Sequence, residues 1–404
     1  MDRNEIIGMT VIPITVVTGF LGAGKTSFIN TLLRDPAFAD SAVLINEFGD
    51  VALDHDLVAE FSDDLLITTT GCICCTASSA VKDSLFDLWN RRRKREIRAF
   101  KRVIIETTGL ADPVPVISSL LAPPASAYID RIVTGQFALA RVITLFDALN
   151  GPDTLNVHLE AIKQVALADA IVVTKTDLVP DATGSQNLIE EVRAINPVAP
   201  IWDRHGQWRD VRGLILATAT YDLRGKGEDA LAWLQAEAIL AADAHNHNHD
   251  DTNRHGADIR AHSIIVDQPV PAIVFDFFLD ALRLSAGPNL LRVKGLVALA
   301  GDPDRPVVIH GVQHQIHEID QLEKWPSEDR RTRIVVIGRN LNIRAMRDVL
   351  RRSKPRKRAR FARRRAAAAS ASVFAVIALI GVMLFSIHQS PAQSVSPATT
   401  ITDK

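Results

Sequence analysis

Four short segments hold the residues whose types and spacing could do chemistry. The first, Gly19-Phe-Leu-Gly22-Ala23-Gly24-Lys25-Thr26-Ser27, satisfies G-x-x-x-x-G-K-[ST]. Its glycines let successive amide N–H groups turn inward as an anion nest. A following helix N-terminus and the Lys25 ammonium add positive potential for β- and γ-phosphates, and Thr26 offers a hydroxyl to Mg²⁺. The second segment, Glu106-Thr-Thr-Gly109, ends a short apolar run. Its acid suits a Mg²⁺ shell, and the Gly109 N–H can sense a γ-phosphate. The third is Thr174-Lys175-Thr-Asp177. A carboxylate there accepts both guanine N1–H and the 2-amino group, whereas adenine would leave it unpaired; this selects GTP over ATP. Lys175 can lay its stem over the base. Lys25, Thr26 and Glu106 are the catalytic candidates. Gly19, Gly22, Ala23, Gly24, Lys25, Thr26, Ser27, Gly109, Thr174, Lys175 and Asp177 form the nucleotide-binding set.

The fourth segment, Gly71-Cys72-Ile-Cys74-Cys75, contains all three cysteines of the chain. Thiolates are soft ligands for Zn²⁺, and three of them leave one tetrahedral position open. Buried small hydrophobes are the structural alternative. A redox couple lacks the usual C-x-x-C spacing. Such clustering excludes a disulfide framework and fits a reducing compartment. His245, His247 and His249, beside Asp250 and Asp251, suit either weak metal binding or a solvated linker.

The elements that position these segments alternate. Apolar runs at 11–18, 42–46, 65–68, 103–106, 141–146 and 170–174 read as buried strands. Helical stretches at 25–34, 78–95 and 157–168 separate them. This predicts an α/β fold, a doubly wound and mostly parallel P-loop sheet, over about residues 10–225. A His- and Asp-rich linker occupies 226–258. A small α+β domain over 259–350 follows, with strands at 263–266, 291–299, 306–310 and 333–337. Helices at 271–284 and 341–351 flank them.

The formal net charge of −1 hides a basic run at 351–365 with ten Lys/Arg and no acid; without it the charge is −11. Residues 366–387 are uncharged and apolar, and 388–404 are polar. About 20 apolar residues make a transmembrane helix, and the one-sided basic flank agrees with the positive-inside rule. A buried C-terminal helix is the alternative. With no reading module or aromatic stack beside the basic run, no nucleic acid is expected as a partner. The N-terminus shows no signal-peptide pattern. These features predict cytoplasmic domains anchored to the inner membrane through the C-terminal helix.

Taken in order, GFLGAGKT, NEFGDVALD, GCICC, ETTGLADP and TKTD resemble the CobW-type P-loop GTPases, which include zinc chaperones and nickel- or cobalt-insertion accessories. LLRVKGLVAL, VVIHGVQH and RIVVIGRNL resemble that family's C-terminal domain. The resemblance covers roughly residues 10–350. It implies a GTPase that binds GTP, Mg²⁺ and a transition metal, with zinc foremost, and passes the ion from Cys72, Cys74 and Cys75 to a client metalloprotein. It also implies that Glu47 is an added ligand or switch residue. Thr174 departs from the Asn of most GTPases, and Lys101 stands where relatives often carry an acid. A membrane-tethered, nucleotide-dependent scaffold with a static structural zinc site is the rival reading, and a P-loop kinase a third.

Overall fold

The structure is a computed structural model that describes residues 11–46, 66–70, 77–122, 126–179, 182–216, 259–286, 289–313, 315–316 and 320–351. Residues 1–353 form one compact unit with two sheets, and 354–404 form a second unit outside the described residues.

The first sheet is built from β1 (Ile12–Gly19), β2 (Ser41–Asn46), β3 (Leu66–Thr70), β4 (Arg102–Glu106), β5 (Phe137–Asp147), β6 (Ala170–Thr174) and β7 (Ile201–Asp203). Its order is β3-β2-β4-β1-β5-β6-β7, with every pair parallel. Runs such as ITVV and AIVVT are buried at every position because both faces of the sheet are covered. On one face, helix α1 (Lys25–Leu33) and the helix Trp208–Leu216 bury Phe28, Ile29, Leu32, Val211 and Ile215 against Val17, Ile143 and Val172. Helices Ala77–Arg93, Val114–Leu121 and Leu159–Leu167 cover the other face. Parallel pairing brings the C-terminal strand ends, where the phosphate loop, Glu106 and Thr174 lie, to one edge, the usual ligand side of such sheets.

The helix expected over 157–168 is instead two helices, Gly151–Val157 and Leu159–Leu167, meeting at His158. Extended backbone at His158 breaks the run, and its ring lies 4.6 Å from that of Phe20 in the phosphate loop.

The second sheet is built from β8 (Ile259–Val266), β9 (Leu290–Leu299), β10 (Asp302–Val312), β11 (Gln315–Ile316), β12 (Asp320–Gln321) and β13 (Thr332–Arg339). It is antiparallel, in the order β11-β10-β9-β13-β8 with β12 paired to β10. Alternation in β13 sorts the side chains by face. Ile334 and Val336 join Phe275, Phe278, Met346 and Leu350 under the helices Ala272–Ala281 and Ile343–Arg351. Val335 and Ile337 point the other way and share a core with the first sheet.

The architecture expected from sequence needs one correction, because it included a transmembrane helix. Among the described residues, no helix is long and apolar enough to cross a membrane. The longest, Ala77–Arg93, has 17 residues and carries charges throughout, whereas a span takes about 20 apolar residues. The expected helix at 366–387 lies outside the described residues, and the described fold gives the membrane anchor no support. The fold is a parallel-sheet P-loop α/β domain with an antiparallel-sheet C-terminal domain.

Candidate functional site

The phosphate loop leaves β1 at Gly19, which pairs with Leu145 of β5, and enters α1 at Lys25. Gly24, the helix N-cap, has φ +83° and Gly22 has φ +74°. This left-handed backbone is the geometry that gathers amide N–H groups into a nest. Lys25 is buried, and its ammonium donates to the carbonyl oxygens of Gly19 (2.9 Å) and Phe20 (3.1 Å). The cation is thus folded back over the loop.

On the β4 side, Thr26 Oγ1 donates to Glu106 Oε1 at 3.3 Å, across 80 residues of sequence. Glu106 is buried at the end of β4, opposite Val17 of β1. Thr107 Oγ1 donates to Thr18 Oγ1 at 2.8 Å, which ties the start of the Glu106–Gly109 turn to β1. A Cβ on Gly109 would stand 2.6 Å from the Leu21 nitrogen, so only glycine allows this turn to lie on the phosphate loop. Gln164 Nε2 donates to the carbonyls of Gly109 (3.1 Å) and Ala111 (3.3 Å) and fixes the turn from behind.

On the β6 side, Thr174 is buried, and its hydroxyl donates to the carbonyl of Ala23 at 2.9 Å and approaches that of Phe146 at 3.3 Å. Thr174 therefore joins the end of β6 to the phosphate loop. Lys175 takes a left-handed backbone (φ +58°), and its ammonium donates to Asp147 Oδ2 at 2.7 Å. Burial by itself would raise the Asp147 carboxyl. The Lys175 ammonium and the N–H groups of Asn150 and Leu149 outweigh it and hold the group below the ordinary carboxylate value. Asp177 stays 62% exposed, its carboxylate 3.4 Å from His205 Nε2. Thr176 Oγ1 donates to Asp203 Oδ1 at 2.9 Å, which anchors the same segment to the end of β7.

The structure thus gathers Gly19, Gly22, Ala23, Gly24, Lys25, Thr26, Ser27, Glu106, Gly109, Thr174, Lys175 and Asp177 along one sheet edge. Cys72, Cys74, Cys75 and Glu47 lie outside the described residues, as do His245, His247 and His249. Among the described residues, no group of three or more His, Cys, Asp or Glu could hold a metal ion. The strands leading to the cysteines and to Glu47 are described, however. β2 pairs with β3, with Asn46 opposite Thr70. Glu47 follows Asn46 in sequence and Cys72 follows Thr70 by two, and the C-terminal ends of β2 and β3 lie at the edge that carries Glu106. Sequence reasoning missed Asp147, Gln164 and Asp203, none of which sits in a recognisable motif. Asp147 left the one usable sign, a Asp-x-x-Asn turn directly after an apolar strand.

Residues 13–203 match the model of the CobW/HypB/UreG nucleotide-binding domain, and 259–354 match the cobalamin synthesis protein CobW C-terminal domain. The chain belongs to the CobW family. Within the CobW family it is 32% identical over 332 residues to the zinc chaperone YjiA of Escherichia coli, covering 82% of this chain and 95% of that one. It is 27% identical over 365 residues to the zinc-regulated GTPase metalloprotein activator 1 of Schizosaccharomyces pombe, covering 82% and 83%. The crystal structure of Zn(II)-bound YjiA GTPase superposes with a TM-score of 0.60 at 25% identity, over 86% of this chain and 100% of that one. CobW-family membership accounts for the pairing of a P-loop sheet with an antiparallel C-terminal sheet.

Proposed function

We propose that this chain is a GTP-hydrolysing zinc chaperone that hands a thiolate-bound ion to client metalloproteins. One observation carries the reading: the phosphate loop is bonded through Thr26 to buried Glu106 and through Ala23 to Thr174, in a CobW-family chain with a C-x-C-C segment. The nucleotide set comprises Gly19, Gly22, Ala23, Gly24, Lys25, Thr26, Ser27, Gly109, Thr174, Lys175 and Asp177.

A hydroxyl and a buried carboxylate 3.3 Å apart are hard oxygen donors of the kind Mg²⁺ takes, so Thr26 and Glu106 fit that ion. When bound, it neutralises charge on the transferring phosphoryl group. Lys25 turns from the Gly19 and Phe20 carbonyls to the β- and γ-phosphates. The Gly109 turn, held by Gln164, presents its amide to the γ-phosphate, and Asp177 accepts the guanine edge. Cys72, Cys74 and Cys75, with Glu47, hold the zinc cargo. They follow in sequence β2, which pairs with β4, and β3, which pairs with β2, so loss of the γ-phosphate reaches them through neighbouring strands. The relatives named as a zinc chaperone and as a metalloprotein activator support zinc as the metal and a metalloprotein as the recipient.

The test is competition for zinc against a chelating dye, with GDP or a non-hydrolysable GTP analogue bound. The two nucleotides should give affinities that differ by roughly 5–150-fold, the range of coupled sites. Equal affinities remove the gate. Cys74→Ser should keep GTP hydrolysis and lose zinc transfer; loss of folding instead makes the zinc site structural.

A further inference from the structure

Arg204 follows β7 and is placed by its backbone, whose N–H donates to the carbonyl of Val173 in β6 at 3.0 Å. From there the side chain crosses to the first turns of α1. Nη2 donates to the Ser27 carbonyl (3.2 Å), Ser27 Oγ (3.1 Å) and Thr31 Oγ1 (3.1 Å), across 177 and 173 residues of sequence. Nη1 lies on the Gly24 side, 3.7 Å from where a Cβ would stand. Every hydrogen-bond partner is a neutral oxygen. Among the described residues, no carboxylate forms an ion pair with this half-buried guanidinium.

A cation at the N-terminal turn of a helix faces the positive end of the dipole, a placement that costs stability unless an anion is present. The anion that this helix is built to meet is the nucleotide phosphate. The strand order says which phosphate. Glu106 and Gly109 approach the loop from β4, on one side of β1. Thr174 and Asp177 approach from β6 on the other side, and the residue after Arg204, His205, touches Asp177. Arg204 enters from the base side and meets Ser27, beyond Lys25 and Thr26. We infer that Arg204 is a second cationic ligand of the nucleotide, donating through Nη1 to the α-phosphate between the base-reading segment and the phosphate loop. This rests on the proposed guanine-nucleotide site and adds a binding residue to it. An α-phosphate is common to GMP, GDP and GTP, so Arg204 holds all three alike and does not gate turnover.

The test measures affinities of the full chain and of Arg204→Gln and Arg204→Lys for GMP, GDP and a non-hydrolysable GTP analogue. Arg204→Gln should weaken all three by a similar factor, roughly ten- to a hundredfold, as expected for one lost charge-assisted hydrogen bond. Arg204→Lys should recover part of the loss, and the nucleotide-free melting temperature should stay unchanged. Unchanged affinities overturn the inference, as does a loss confined to the GTP analogue, which would place Arg204 at the γ-phosphate. Thr31→Val supplies the structural control. If it reproduces the affinity loss, Arg204 acts only as a tie to α1. Failure of the unsubstituted chain to bind any of the three would sink the guanine-nucleotide reading and this inference together, whereas tight binding that ignores Arg204 would sink this inference alone.

Discussion

Replacing Asp169 with asparagine should loosen the hold between the two sheets on the scale of a large apolar truncation in the core. Asp169 precedes β6 and its side chain is 1% exposed. Oδ2 accepts the Val142 N–H at 2.8 Å. Oδ1 accepts the Arg292 guanidinium and, at 2.6 Å, the Lys294 ammonium, both from β9 of the second sheet. Arg292 is itself 2% exposed and also donates to the Leu167 carbonyl. Buried Arg141 adds a further cation to the field around Lys294. An asparagine keeps one acceptor oxygen but no charge, which leaves cations buried without their anion. Breaking a buried pair from one side costs about 3–5 kcal/mol, a large part of the 5–15 kcal/mol that typically separates folded from unfolded states. Urea unfolding followed by tryptophan fluorescence reads this, with Trp89, Trp202 and Trp208 in the first domain and Trp325 in the second. Adding Arg292→Met and Lys294→Met to Asp169→Asn should recover most of the loss, because the stranded charges are then gone.

The same cluster sets a pH dependence whose sign is fixed. Burial and the neighbouring Arg292 push the Lys294 ammonium down to about 8, although Asp169 pulls the other way. Between that value and the ordinary lysine value of about 10.4, the unfolded chain binds more protons, so this group makes stability rise with pH across that window. Burial would raise the Asp169 carboxyl, but Arg292, Lys294 and His310 outweigh it and hold it far below the ordinary range. Its contribution is therefore full above about pH 4 and is lost as acid titrates it. In Asp169→Asn, Lys294 loses its anionic partner and sheds its proton more readily. The penalty should thus shrink from pH 7 to pH 9. A loss under about 1 kcal/mol, the scale of an exposed pair, or a penalty that grows with pH, would refute the reasoning.

Three further outcomes follow from the site. Glu106→Gln keeps the shape beside Thr26 but removes the charge; GTP turnover should fall roughly 10²–10³-fold, the scale of one lost electrostatic contact, while GDP affinity in the absence of Mg²⁺ stays within about twofold. Single-turnover hydrolysis checks it. Thr174→Val removes the hydroxyl that donates to the Ala23 carbonyl and leaves that buried acceptor without it. It should cost about 1–3 kcal/mol, read as a lower urea midpoint together with weaker GDP binding by calorimetry. Gly109→Ala puts a methyl 2.6 Å from the Leu21 nitrogen, so the turn must move off the loop. Affinity for the GTP analogue should fall in competition binding, while GDP binding is retained.

The parts legible in the sequence were those whose constraint is local. Gly19–Thr26 must be loop and then helix for reasons internal to eight residues, and VIIE and AIVVT announce buried parallel strands by having no polar alternation. What escaped was set by long-range partners. Asp147 and Lys175 meet across 28 residues, Asp169 and Arg292 across 123, and Arg204 and Ser27 across 177. No single-sequence pattern reports such pairs. The second sheet was read with strands too short: β10 runs over Asp302–Val312 where 306–310 was expected, because its first turn of strand is polar and carries no apolar signal. The apolar run at 366–387 misled in the opposite sense. Its composition and its basic flank drew a spanning helix into the fold class, whereas among the described residues no helix is long and apolar enough to cross a membrane.

The two halves of the site have different work because of where β1 lies. Thr174 is bonded to Ala23, and Arg204 to Ser27, so these two ties from the β6–β7 side reach residues that GDP and GTP would share. A ligand shifts an equilibrium only by what it binds differently in the two states. The difference between GDP and GTP therefore has to be read on the β4 side, where Thr26, Glu106 and the Gly109 turn converge. Next to β4 stands β2, and next to β2 stands β3. Glu47 and the cysteines follow those two strands directly. On this argument a metal site beyond β2 and β3 can feel the γ-phosphate through one or two strand neighbours, whereas one attached to the β6–β7 side would be blind to it. Zinc affinity that responded to Arg204→Gln at saturating GDP, but not to exchanging GDP for the GTP analogue, would reverse that assignment.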